Sequence, residues 1–281
     1  MEKQMTTTQY KDRLFRYLFK RAPLELYNAV SDEPYLEKAN IKIINMQANL
    51  ENIFSDLIFK INEHFVVICE HQSALNGNMP LRMFAYLSKY YQSYVNKKAI
   101  HKEKIIPLPT PRFFMLYNGD KELKTDVLRL SDAFANKELA SVEIEVKVID
   151  INYEKGHEAL RKSTTLDGYS FLIAEIKKRL AVGMSQDKAI GEAILYCIEQ
   201  GKIADFLRKN LERVAKMITF DATIEGREEA RIEEAREEAI ETERIRFALQ
   251  MLKKELDVEF IAECVKMPIE WIENLKQQTQ K

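Results

Sequence analysis

The chain has 281 residues, 46% of them hydrophobic and 31% charged, enough to bury a core in one large domain or two small ones and too apolar for a disordered chain. The formal net charge is −1, so no global basic field attracts nucleic acid, and any such site has to be a local patch. No apolar run reaches the roughly 18 residues that span a bilayer, and Met1–Gln9 lacks the apolar stretch of a secretory signal.

Tyr10–Arg21 (YKDRLFRYLFKR) sets Leu14, Tyr17 and Leu18 at helical spacing and predicts a first helix. Pro23 starts a second, through Val30, because a proline at the first helical position gives up a hydrogen bond the helix end lacks anyway. Ile41–Met46 reads as a short strand. Asp56–Ile61 alternates, Asn62 and Glu63 interrupt, and His64–Gln72 is rich in β-formers: a hairpin. A loop at Asn76–Pro80 leads to an amphipathic helix over Leu81–Asn96. Pro107, Pro109 and Pro111 stiffen the next connection. Phe113–Tyr117 and Val142–Ile151 (VEIEVKVIDI) read as further strands.

Beyond about residue 155 the pattern turns helical. Helices are predicted over Leu166–Leu180, from an N-cap at Ser185 to Gln200, and over Ile203–Ile218. Glu225–Leu256 reads as one long helix, charge-dense over "EGREEARIEEAREEA", where Glu–Arg pairs at i, i+4 support a solvated face. An apolar seam begins only at Ile245, Leu249 and Leu252, too late for a long coiled coil. Phe260–Lys276 predicts two short helices. They faintly resemble a helix-turn-helix but lack a basic recognition helix. The three cysteines, Cys69, Cys197 and Cys264, are far apart and point to reduced thiols in a cytoplasm rather than to a disulfide or zinc framework.

The hairpin carries the chemistry. With a three-residue turn at Asn62–His64, Ile61 pairs with Phe65 and, counting outward, Asp56 stands opposite Glu70. Side chains alternate faces, so Glu70 and Gln72 share one side. Opposed Cβ atoms are about 4.5–5.5 Å apart, so two carboxylates there repel unless a cation lies between them. Magnesium, which takes oxygen ligands and keeps several waters, suits that role. A two-residue turn shifts the register and separates the pair. The plainer alternative is surface charge on a half-exposed hairpin.

The aspartate opening one strand and the Glu-x-Gln closing the next resemble the PD-(D/E)XK nuclease superfamily. More narrowly, "CEHQSALNGNMPLRMFAYLSKYY" resembles the recombination-promoting nuclease and putative transposase family of bacteria, labelled Rpn or YhgA-like. Agreement continues through "KDRLFRYLFKRAPLELYNAV", "PTPRFFMLYNG", "LSDAF", "AILYCIEQG" and "EGREEAR", nearly the whole chain. The resemblance implies an α/β fold, a restriction-endonuclease-like mixed sheet flanked by helices and followed by a helical C-terminal region. It divides the chain into a nuclease-like core at 1–155, a helical extension at 156–224, and a charged helix with helical tail at 225–281. It implies Mg²⁺-dependent DNA cleavage, with Asp56, Glu70 and the backbone carbonyl of His71 as metal ligands. Gln72 stands where the superfamily has lysine. A neutral carboxamide orients water without adding charge, which raises dependence on the metal.

Around this site, Arg82, Tyr86, Lys89 and Ser93 form a polar stripe on the helix that follows, beside an apolar one of Met83, Leu87, Tyr90 and Tyr94. Arg82 and Lys89 are candidate phosphate contacts. Lys97, Lys98, Lys102, Lys104 and Arg112 make the best basic patch for a DNA backbone, against the alternative of lysines capping a helix end. The expected function is a cytoplasmic DNA endonuclease promoting recombination, with a homo-oligomer through the C-terminal helices as a possible assembly. The alternative is a non-catalytic DNA-binding or protein-assembly module on a nuclease fold.

Overall fold

A computed structural model describes residues 9–44, 57–96, 100–219, 243–254 and 256–279. Helices α1 (Gln9–Phe19) and α2 (Pro23–Val30) precede β1 (Ile41–Ile43) and the hairpin β2 (Leu57–Ile61) and β3 (Phe65–Gln72). Helix α3 (Met79–Tyr94) then crosses to β4 (Thr110–Tyr117), followed by β5 (Val127–Arg129) and β6 (Glu145–Asp150). The helices α4 (Glu158–Lys162), α5 (Thr164–Ala181), α6 (Gln186–Glu199) and α7 (Ala204–Thr219) complete the first of two compact units, Met1–Phe220.

The six strands form one mixed sheet in the order β1-β2-β3-β4-β6-β5. β3, β4 and β6 run parallel, and β1–β2, β2–β3 and β5–β6 pair antiparallel. The hairpin register joins Ile61 to Phe65 and Leu57 to Cys69, which is the register the three-residue turn predicts. Asn62 makes that turn at φ 49°, a left-handed conformation that asparagine tolerates better than most residues. Its side-chain oxygen accepts from the Asn40 amide at 2.7 Å.

Strand alternation splits the core in two. Leu57, Phe59, Val67, Cys69, Phe114 and Leu116 pack against α1, α2 and α5–α7, whose Phe15, Leu26, Tyr169, Ile173, Ile194 and Leu207 belong to the same cluster. Helices α4–α7, which lie within the expected extension at 156–224, share the core cluster of the sheet. Ile58, Val66, Ile68, Met115 and Val148 face the other way, against Met79, Met83, Tyr86, Leu87 and Tyr90 of α3.

Several boundaries move for physical reasons. α3 starts two residues before the predicted Leu81, since Pro80 is tolerated in a helix's first turn. β4 extends back to Thr110 and includes Pro111; β6 pairs only from Phe114 onward, so the proline's missing N–H costs no bond on that side. β5, a three-residue edge strand, has no counterpart in the sequence reading. Ser185 is the N-cap of α6 as predicted, but its side chain makes no capping bond. Ser163 does cap α5, accepting from Leu166 N at 2.9 Å. α7 breaks at Asn210, whose side chain accepts from the Tyr17 hydroxyl at 2.7 Å.

In the second unit, Asp221–Lys281, the chain is helical over 243–253 (α8), Val258–Val265 (α9) and Ile269–Thr279 (α10). Ala248, Ile261, Ala262, Val265 and Ile272 form its small core. α9 and α10 are the two predicted short helices; of the predicted long charged helix, residues 225–242 lie outside those described. Among the described residues, no helix is long and apolar enough to cross a membrane.

Candidate active site

The site grows from the C-terminal half of β3. Val66, Ile68, Glu70 and Gln72 alternate onto the α3 face, so the apolar packing that fixes the first two carries the last two onto the same side. Glu70 is only 1% exposed. Burying a carboxylate is costly unless opposite charge and hydrogen bonds accompany it, and both are present. Arg82, from the first turns of α3, donates through Nη2 to Glu70 Oε2 at 3.0 Å. Gln72 Nε2 donates to the same oxygen at 3.2 Å. The Arg82 Nη2 also lies 3.0 Å from the Tyr86 hydroxyl one turn along the helix. Burial, then the charge of Glu70, hold the Tyr86 hydroxyl well above the usual phenol range, so it stays protonated.

The polar stripe of α3 therefore turns inward. Arg82 and Tyr86 face the sheet, while Leu81 and Phe84, 54% and 42% exposed, face out. Arg82 keeps 34% of its side chain accessible, so one end of this cation meets solvent and the other meets a buried carboxylate. Further along α3, the Lys89 ammonium is buried and has no hydrogen-bond partner among the described residues.

His71, between Glu70 and Gln72, points to the opposite face. Its ring stacks on Phe15, centroids 5.3 Å apart, and meets Tyr169 edge-on at 5.7 Å. Its Nε2 lies 3.1 Å from the Tyr169 hydroxyl, which donates to the Lys11 carbonyl at 3.1 Å. A hydroxyl that gives its one hydrogen away must accept from the ring, which puts a proton on Nε2. The imidazole is a core group; only the backbone carbonyl of His71 remains a candidate ligand.

The structure brings Glu70, Gln72 and Arg82 together. Asp56, Lys97 and Lys98 lie outside the described residues. Lys102 and Lys104 are exposed on the connection from α3 to β4. That connection rejoins the sheet at Thr110, whose amide donates to His64 O at 2.7 Å, at the end of β3 away from Glu70. Arg112 reaches Ser31 Oγ at 3.5 Å.

Two cations that the sequence reading did not single out approach the Glu70 end instead. Lys11 of α1 donates to Asn118 Oδ1 at 3.2 Å, just past β4, and Lys177 of α5 donates to the Asn118 carbonyl at 3.1 Å. The predicted strand over Phe113–Tyr117 ends just before it, but nothing local signals which distant lysines converge there.

The family model described as "Putative transposase, YhgA-like" matches residues 10–191, which contain all of this site. Neither the curated proteins nor the solved structures gave a match.

Proposed function

From membership of the YhgA-like putative transposase family, to which this chain belongs, we propose that it is a Mg²⁺-dependent DNA endonuclease of the PD-(D/E)XK type that promotes recombination. The observation that carries this reading is Glu70: a buried carboxylate near the end of a central strand, held against a cation, with Gln72 two positions on and on the same face. The donors suit a hard divalent cation, being carboxylate and backbone carbonyl oxygens. The position on Glu70 already attracts positive charge, since Arg82 takes it here.

In this reading Asp56, Glu70 and the His71 carbonyl hold the metal. Bound there, magnesium supplies Lewis-acid stabilisation of charge on the phosphate and favours deprotonation of the attacking water. Gln72 orients that water through its carboxamide, which both donates and accepts. Arg82, whose side chain is one-third exposed beside Glu70, would offer its outer end to a DNA phosphate. The three free cysteines, two of them buried, accord with a cytoplasmic setting.

The test is nicking of supercoiled plasmid in Mg²⁺ by the wild type and Glu70→Gln. Loss of nicking in the variant, with its melting transition retained, supports the reading; equal nicking by both overturns it. A second reading is a DNA-binding or assembly module on this fold. It is favoured by the Arg82–Glu70 pair itself, which would neutralise a carboxylate that has no metal to hold. That reading predicts salt-dependent DNA binding without cleavage in any divalent cation.

A further inference from the structure

The end of β3 that carries Gln72 is gripped from the side. Gln72, Tyr117 and Asp150 stand in one register row across the C-terminal ends of β3, β4 and β6. One residue further, the Asn118 amide donates to the Gln72 carbonyl at 2.9 Å, the last rung between β3 and β4. The next residue must be glycine: a Cβ on Gly119 would lie 2.3 Å from the Ser73 carbonyl and 2.3 Å from the Tyr117 hydroxyl. The turn after β4 is thus pressed against the backbone that leaves Gln72.

That turn is braced from behind. Lys177 Nζ donates to the Asn118 carbonyl at 3.1 Å, to Asp120 Oδ1 at 3.0 Å and to Asn152 Oδ1 at 3.4 Å. It thereby joins the turn after β4 to the turn after β6. Asn152 completes the link by donating to the Gly119 carbonyl at 2.8 Å and to Asp150 Oδ1 at 2.9 Å. Lys11 holds the Asn118 side chain from α1. The ammonium of Lys177 and, more weakly, that of Lys11 hold the Asp120 carboxyl below its usual range, so this pairing persists at neutral pH.

We propose that Lys177 is a positioning residue: its ammonium fixes the Asn118–Asp120 turn, and through the Asn118–Gln72 hydrogen bond it sets where the Gln72 carboxamide points. The proposal rests on the nuclease reading above. A site group has to be held within about 0.5 Å of its productive place, and displacement of about 1 Å costs on the order of 10²-fold in rate. Lys177 is 29% exposed, so water can take over its three acceptors when it is replaced, and the fold survives the change.

The experiment is a double-mutant cycle on plasmid nicking in Mg²⁺, using Lys177→Gln, Gln72→Ala and both together, with Lys177→Arg as the conservative variant. Lys177→Gln is expected to lower kcat about 10- to 100-fold with KM for DNA unchanged. Lys177→Arg restores most of the loss, since a guanidinium offers donors to the same acceptors. In the Gln72→Ala background, Lys177→Gln is expected to change kcat less than about twofold, because its effect passes through a group already removed. Independently of activity, amide hydrogen exchange at Asn118 and Gly119 is expected to quicken in Lys177→Gln, with other core amides unmoved. Wild-type cleavage with losses that multiply in the double variant, or with exchange unchanged at the turn, overturns the proposal alone. A wild type that nicks DNA in no divalent cation overturns the nuclease reading, and the proposal with it.

Discussion

Glu70 and His71 are adjacent on one strand, both almost wholly buried, and they belong to different worlds. On the α3 face, Glu70 is surrounded by groups that answer its charge: the Arg82 guanidinium and the Gln72 amide. On the α1–α5 face, His71 is clamped between the rings of Phe15 and Tyr169, and its Nε2 contact closes on a hydroxyl anchored to backbone. Burial does not distinguish them. The difference is that Glu70's cationic partner Arg82 is one-third exposed, whereas His71's partners are fully buried core residues. In the proposed reading, a buried charge whose neutralising partner can be exchanged marks a site, and a buried polar ring among core residues serves structure.

The comparison breaks most visibly on replacing each residue in turn. Glu70→Gln keeps the shape of the side chain but removes its charge. It is expected to cost about 4 kcal/mol of transition-state stabilisation, or ~10³-fold in nicking rate. Its melting transition should stay near that of the wild type. His71→Ala should do the reverse. It leaves a cavity beside Phe15 and takes one hydrogen-bond contact from the Tyr169 hydroxyl, for a loss of about 2–4 kcal/mol in stability by denaturant titration. Below its transition, cleavage should be nearly intact, because the proposed ligand at this position is the backbone carbonyl. Loss of activity from folded His71→Ala would erase the distinction between the two faces.

Gln72 tests how far the α3 face depends on each member. Gln72→Ala is expected to slow cleavage roughly 10- to 1,000-fold, the scale for one positioned group, while Gln72→Lys retains it. If alanine cleaves as well as glutamine, Gln72 is only a strand residue.

Much of this contrast was legible beforehand. Turn length set the hairpin register, and strand alternation then put Glu70 and Gln72 together and His71 opposite. The apolar stripe of α3, from Met83 to Tyr90, marked the side facing the sheet. Hidden from the sequence was the phase of the polar stripe, because a buried carboxylate across the gap draws Arg82 and Tyr86 inward and leaves Leu81 and Phe84 to solvent. The brace at the end of β4 was hidden for a different reason. Lys11 and Lys177 reach Asn118 from helices far away in the chain, and no local pattern records such a meeting. β5 escaped because three residues are too few to show a period.

Arg82 offers a sharper test of exchangeability. If metal and guanidinium compete for Glu70, Arg82→Gln should tighten Mg²⁺ roughly 3- to 10-fold in calorimetric titration without DNA. This scale follows from removing a like charge near a partly solvated site. Without metal, the same variant leaves a buried carboxylate less well neutralised and should melt lower, and added Mg²⁺ should recover more stability than in the wild type. Weaker metal binding in Arg82→Gln would mean that Arg82 supports the metal site rather than substitutes for its cation.

The smallest effect is expected from Lys102 and Lys104. They sit on a connection that rejoins the sheet beside His64, six residues before Glu70. At about 3.3 Å per residue that is on the order of 20 Å, several base pairs of duplex. If the two lysines touch phosphates, each contact releases counterions and contributes about 0.9 to the slope of log affinity against log salt. Replacing both by glutamine should then flatten the slope by up to about 2 on a duplex of about 20 base pairs, weakening all sequences alike. On a duplex of about 6 base pairs, which at about 3.4 Å per pair spans only roughly the separation itself, the same replacement should flatten the slope less than on the longer one. Binding isotherms at several salt concentrations, in Glu70→Gln to block cleavage, read both lengths. An unchanged slope on the longer duplex would remove these lysines from the DNA footprint. It would also shift the expected path of the duplex to the opposite end of the sheet, where Arg82 presents a partly exposed cation.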